Sequence, residues 1–123
     1  MDVEDRFLQQ LKKGALEMLV LELICRHPTY GYELLSMLRD GSDGLFTLKE
    51  GTLYPILYRL EDEALIASRW EHGAGRTTPK KMYEATDAGR AECARRRAVW
   101  SDFTQTIGKF NAGGASDERQ KRG

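Results

Sequence analysis

Thr47-Leu48-Lys49-Glu50-Gly51-Thr52-Leu53-Tyr54-Pro55-Ile56-Leu57-Tyr58-Arg59-Leu60-Glu61 is the stretch whose reading decides the fold. Leu53, Ile56, Leu57, Leu60 and Ala64 recur at the three-and-four spacing of one helical face. The other face carries Lys49, Thr52, Tyr54, Pro55, Tyr58 and Arg59, a set of hydroxyls, phenols and positive charge unusual for a plain surface helix. Two starts are open. Thr47 with Glu50 three residues on has the form of a capping box, and that start leaves Pro55 in the interior and predicts a kink. Thr52 as the cap puts Pro55 in the first turn, where its missing N–H costs little. In either case a short, firmly packed helix turns phenols and hydroxyls outward, as insertion into a nucleic-acid groove requires. The plainer reading is an amphipathic helix with incidental tyrosines.

Upstream, a first helix is expected from Phe7 to Arg26. Leu8, Leu11, Ala15, Met18, Leu19 and Leu23 mark its face, widened by Leu16, Val20 and Ile24, a stripe broad enough for burial on two sides. Gly14 inside it costs roughly 1 kcal/mol against alanine and hints at close packing there. His27-Pro28 ends the helix, because a residue before proline is driven out of the helical region. Thr29 then caps a second helix, Tyr30 to Leu38, burying Leu34, Leu35 and Leu38, and 40–44 is a turn cluster.

Downstream, the period changes to alternation. Ile66–Glu71 and Lys80–Ala85 read as two strands of a hairpin joined by a glycine-containing loop. Around it lie Arg69, Arg76, Lys80 and Lys81, opposed only by Glu71 and Glu84. Alone this is a solvated hairpin tip; directly after a helix-turn-helix it becomes a wing reaching a phosphate backbone. Thr86 or Asp87 caps a last helix from about Ala88 to Phe110. Trp100, Phe103, Ile107 and Phe110 form a heptad-like seam on it that calls for a second copy or for folding back on the first helix. The glycine- and charge-rich segment 111–123 is expected to be disordered.

At 123 residues, 41% hydrophobic and 31% charged, the chain suits one globular domain with a modest core. Nineteen basic residues balance nineteen acidic ones, which is not the footprint of a protein that coats nucleic acid, so DNA contact must come from local clustering. The longest apolar run, Met18 to Cys25, is broken by Glu22 and cannot span a membrane. The acidic N-terminus lacks a secretion signal, so a cytoplasmic protein is expected. Cys25 and Cys93 stand far apart and read as buried free thiols. With His27 and His72 isolated, and no phosphate loop or nucleophile–base pair, neither an enzyme nor a cofactor or metal is expected.

The order helix, helix-turn-helix, two-stranded wing, long helix makes the expected fold mainly α with a small β-hairpin (α+β): a winged helix-turn-helix domain over 1–85 and a dimerisation helix over 86–110. Leu11 to Leu21, Tyr30-Gly31-Tyr32-Glu33-Leu34, Gly51 to Leu57, Arg59-Leu60-Glu61, Tyr83 and Thr86-Asp87-Ala88-Gly89-Arg90 together resemble the PadR-like transcriptional regulators, over nearly everything from Leu8 to Phe110. The single short C-terminal helix resembles the family's compact subfamily. The resemblance implies a homodimeric repressor on double-stranded DNA at an inverted repeat near a promoter. It also implies release, in some members, by small aromatic compounds. Tyr30, Tyr32, Thr52, Tyr54 and Tyr58 match the family's DNA-facing motifs. Trp100 resembles the tryptophan that, in multidrug-responsive members, sandwiches a planar aromatic effector at the dimer interface; a plain interface residue is the other reading.

Two positions depart from the family pattern. Ala64 stands where a glycine usually precedes Leu-Ile, so the helix must end without a left-handed glycine or the turn is built differently. Pro79-Lys80-Lys81 replaces the commoner Pro-Arg-Lys, keeping charge but losing a bidentate fork. The expected DNA contacts are Thr52, Tyr54 and Tyr58 in the major groove, Lys49 and Arg59 on phosphates, and Arg76, Lys80 and Lys81 on the flanking backbone. A winged-helix protein-interaction module without a DNA role is the rival.

Overall fold

A computed structural model describes residues 3–72 and 78–122, with side chains over 5–72 and 78–112. The chain divides into a unit ending at Cys93 and a helical unit from Ala94 onward.

α1 (Val3–Arg26) begins earlier than expected and ends where His27-Pro28 requires. Its core stripe is Leu16, Val20, Leu21 and Ile24, while Phe7 and Leu11 remain exposed. The inward face is therefore rotated from the one read in the sequence, because apolar residues surround this helix too completely for their spacing to single out a side. A Cβ built on Gly14 meets nothing within 4 Å, so the close packing expected there is absent.

β1 (Thr29–Tyr30) precedes α2 (Gly31–Gly41), and the expected cap is displaced by one residue, to Tyr30. Thr29 is buried in the sheet. Its hydroxyl and the Tyr30 N–H both donate to the Glu33 carboxylate at 3.1 Å, so Glu33 supplies the polar partner at this helix start. Leu34 and Leu38 enter the core, with Leu35 half-buried at its margin.

α3 (Glu50–Asp62) has Lys49 as N-cap, so neither Thr47 nor Thr52 serves. The Thr47 hydroxyl is engaged elsewhere, donating to the Gly44 carbonyl at 2.7 Å. Pro55 lies inside the helix and leaves the carbonyl of Gly51, an exposed residue, without its usual donor. Leu53, Ile56, Leu57 and Leu60 are all at most 5% exposed, as their spacing demands. Ala64 does not join them. It sits past the helix end at φ 60°, where Leu65 N–H reaches the Leu60 carbonyl and Ala64 N–H the Glu61 carbonyl, both at 2.9 Å. This is the Schellman geometry a glycine would adopt, built with an alanine.

β2 (Ile66–Glu71) and β3 (Lys80–Ala85) occupy the expected ranges and pair antiparallel from Ile66 with Ala85 to Glu71 with Lys80. β1 adds to the other edge of β3, Thr29 opposite Tyr83, so the sheet has three strands in the order β1-β3-β2 rather than two. Two residues are too few to show an alternating pattern.

α4 (Asp87–Arg122) is capped by Thr86, whose Oγ1 accepts the Gly89 N–H at 2.9 Å. The same hydroxyl donates to the Ala64 carbonyl at 2.7 Å, so one side chain ties the end of α3 to the start of α4. A Cβ on Gly89 would lie 1.8 Å from the Leu65 carbonyl oxygen, which only glycine permits. Cys25 and Cys93 are thiols outside any disulfide, the first half-buried and the second buried with its Sγ donating to the Glu22 carboxylate at 2.8 Å. In the second unit the helix continues to Arg122, beyond the expected end at Phe110 and through the tail expected to be disordered. Alanine, glutamate, glutamine, lysine and arginine there favour helix, against Gly113 and Gly114 and the weaker formers Asn111, Ser116 and Asp117.

Candidate nucleic-acid interface

α2, α3 and the hairpin meet around an aromatic cleft of about 360 Å³, lined among others by Tyr32, Tyr54, Tyr58, Trp70, Lys80 and Lys81. Tyr30 and Tyr32 stack with ring centroids 5.7 Å apart and planes within 10°. The Lys80 ammonium lies 5.7 and 5.1 Å from those two ring centres, a placement that holds its charge over the pair. Tyr30 is the inner ring. Its hydroxyl donates to Glu71 at 2.8 Å, and that bond, then burial, raises its pKa from the ordinary tyrosine value. Tyr32 is the outer ring and is half exposed.

Tyr54 is only partly accessible, because its phenol lies against Gly31: a Cβ there would be 2.9 Å from the hydroxyl oxygen. Burial is the main reason its pKa is raised. The glycine between Tyr30 and Tyr32 thus exists to receive a tyrosine from α3. Tyr58 and Thr52 are exposed on the outward face of α3, and Lys49 stands exposed at its start. Arg59 does not face outward as a free charge; its Nε and one terminal nitrogen both lie 2.9 Å from the Glu17 carboxylate of α1.

On the hairpin, two of the cations read in the sequence, Arg69 and Lys81, meet carboxylates. Arg69 is held by Glu84 and, at 3.1 Å, by Glu71, and the Glu84 bond foremost raises its pKa. The Lys81 ammonium is 3.9 Å from Glu61 and 5.6 Å from the ring centres of Trp70 and Tyr83. Lys80 has no carboxylate partner among the described residues. Arg76 lies outside the described residues. Trp70, 61% exposed and cross-strand from Lys81, joins this surface although its spacing alone marked it only as a strand residue. In the second unit Trp100, Phe103, Ile107 and Phe110 are all exposed, between 44% and 76%, with the first two rings 6.4 Å apart.

A model of the transcriptional regulator PadR-like family matches residues 20–95, from the last turns of α1 to the first turns of α4. The chain belongs to the PadR-like family. It is therefore a transcriptional regulator by family and not an enzyme. Its fold is similar to a PadR family regulator from Eggerthella lenta, with TM-score 0.78 and 35% identity over 89% of this chain and 92% of that one. It is also similar to Bacillus subtilis PadR, solved in complex with operator DNA, with TM-score 0.59 and 30% identity over 65% of this chain and 45% of that one. A transcriptional regulator of Mycobacterium tuberculosis is 28% identical over 81% of this chain and 89% of its own length. The PadR-like motifs acquire physical reasons here: the glycine of Tyr-Gly-Tyr accepts Tyr54, and the glycine of Thr-Asp-Ala-Gly-Arg accepts the Leu65 carbonyl.

Proposed function

We propose that this chain is a sequence-specific DNA-binding regulator that acts as a homodimeric repressor on an inverted repeat. The observation that carries the reading is the outward face of α3. Thr52 and Tyr58 stand exposed between Lys49 at the helix start and the Tyr32–Lys80 pair beside it. Hydroxyls and phenols serve base edges and phosphates alike, and unpaired ammonium groups on either side suit the two backbones flanking a major groove. The solved complex of Bacillus subtilis PadR with operator DNA supports this assignment. α3 lies in the groove; Thr52 and Tyr58 read bases; Lys49 and Lys80 hold phosphates. Tyr30, Tyr54 and Lys81 chiefly brace the reading surface, and Arg59 braces α3 against α1. Residues 1–85 form the DNA-binding domain and the helix from 86 carries dimerisation.

The exposed Trp100, Phe103, Ile107 and Phe110 form the dimer seam, and the indole of Trp100 offers a stacking face to a planar aromatic effector enclosed by two copies. Such a ligand releases DNA by favouring a dimer whose α3 helices are wrongly spaced. Among the described residues no helix is long and apolar enough to cross a membrane, consistent with action in the cytoplasm.

Two variants divide the roles. Lys80→Ala weakens binding to every duplex alike and lowers the salt slope by about one, whereas Thr52→Val changes which sequences are preferred. Fluorescence anisotropy on a selected operator and a scrambled duplex reads both. Equal loss on both duplexes from both variants contradicts the division. For the effector, indole fluorescence is titrated with planar aromatic compounds in the wild type and in Trp100→Phe. Quenching confined to the wild type is expected, and quenching unchanged in the variant moves the ligand away from Trp100.

A further inference from the structure

A cavity lies between α1 and the start of α3, lined by no hairpin residue. It measures about 550 Å³, and its lining includes Arg6, Lys12, Lys13, Lys49, Thr47 and Thr52 and no acidic residue. None of Lys12, Lys13 and Lys49 is ion-paired among the described residues. That sets them, like Lys80, apart from Arg59, Arg69 and Lys81, which all have carboxylate partners. In a chain of zero net charge, Lys12 and Lys13 of the first helix thus place unneutralised positive charge beside Lys49 at the start of α3. Phe46 forms part of the cavity lining, and the Lys12 ammonium sits 5.8 Å from its ring centre, which holds that charge at the cleft.

The geometry points to this cleft as a second seat for the DNA backbone, in which Lys12 and Lys13 of α1 join Lys49 on phosphodiester oxygens. The inference rests on the DNA-binding reading of α3. Thr52 belongs both to that reading surface and to the cleft wall, so a strand leaving the groove past Thr52 enters the cleft without a break. A cleft with several cations and no carboxylate suits a polyanion, and the Thr52 hydroxyl can donate to a phosphate oxygen. The contact is sequence-independent, so it adds affinity and salt dependence without adding base preference.

The test is the salt dependence of binding to a mixed-sequence 30-base-pair duplex, followed by anisotropy, for the wild type and for Lys12→Ala/Lys13→Ala. Loss of two phosphate contacts lowers the slope of log affinity against log salt by about two per protomer. Lys13→Glu serves as a second variant, because Lys13 is exposed and leaves Lys12 packed on Phe46. It is expected to weaken all duplexes alike, with the thermal midpoint unchanged. A wild-type protein that binds duplex, with variants of identical slope, overturns the seat on α1 and leaves the reading of α3 standing. A wild-type protein that binds no duplex at low salt overturns both.

Discussion

Tyr83 is 1% exposed, yet its hydroxyl has no hydrogen-bond partner among the described residues. Burial, more than the nearby Glu61, pushes its pKa up to about 12. An unfolded tyrosine ionises near 10, so the folded state resists ionisation that the unfolded chain accepts. The resulting stability is complete below pH 10 and is lost as the pH rises from about 10 to about 12. Tyr83→Phe removes the orphaned hydroxyl and raises stability by about 1 kcal/mol at neutral pH. It also flattens the alkaline fall, which urea melts at pH 8 and above report directly. At the α3 terminus, Ala64 holds a left-handed conformation at φ 60°. Ala64→Gly relieves that strain, and after the larger entropy of the unfolded glycine is subtracted a gain of about 0.5–1 kcal/mol is expected. Gly89→Ala has the opposite sign. A Cβ 1.8 Å from a backbone carbonyl cannot be accommodated by a side-chain turn, and a loss of roughly 3 kcal/mol is expected in the same melts.

At the scale of elements, what was legible depended on how local the cause was. The buried face of α3 followed from spacing alone, since Leu53, Ile56, Leu57 and Leu60 are apolar on one side only. The hairpin strands followed from alternation between turn residues. The buried face of α1 did not, because its sequence is apolar around most of its circumference and only the partners α1 packs against choose between faces. β1 escaped for want of length. The helix start at Lys49 escaped because both threonines looked like caps, and only the fold shows that Thr47 is bonded back to Gly44. In the site, the Tyr-Gly-Tyr and Thr-Leu-Tyr segments stood out in the sequence, whereas the division between braced and free side chains did not. Glu17 neutralises Arg59 from 42 positions away, and no local pattern announces such a pair. The same holds for Lys12 and Lys13, ordinary helix-surface lysines until α3 is packed beside them.

At the scale of the whole molecule, zero net charge is compatible with DNA binding because the charges are sorted: among the described residues Arg69 and Lys81 of the hairpin meet carboxylates, whereas Lys80 and the lysines beside the start of α3 do not. A near-neutral surface avoids nonspecific accumulation and leaves selectivity to base contacts. The other global property, self-association, is proposed to rest on the seam of α4. Phe103→Glu/Ile107→Glu places two charges per copy in it, and sedimentation velocity is expected to shift from twice 14.0 kDa to a single chain. An unchanged dimer would place the interface elsewhere. The most direct measurement is selection of bound duplexes from a randomised pool by the wild-type protein, followed by sequencing. Enrichment of a two-fold symmetric motif, with half-sites centred about 34 Å or one helical turn apart, is the result expected of paired α3 helices. Recovery of the pool without enrichment, under conditions where the protein is dimeric and folded, would contradict sequence-specific recognition by α3.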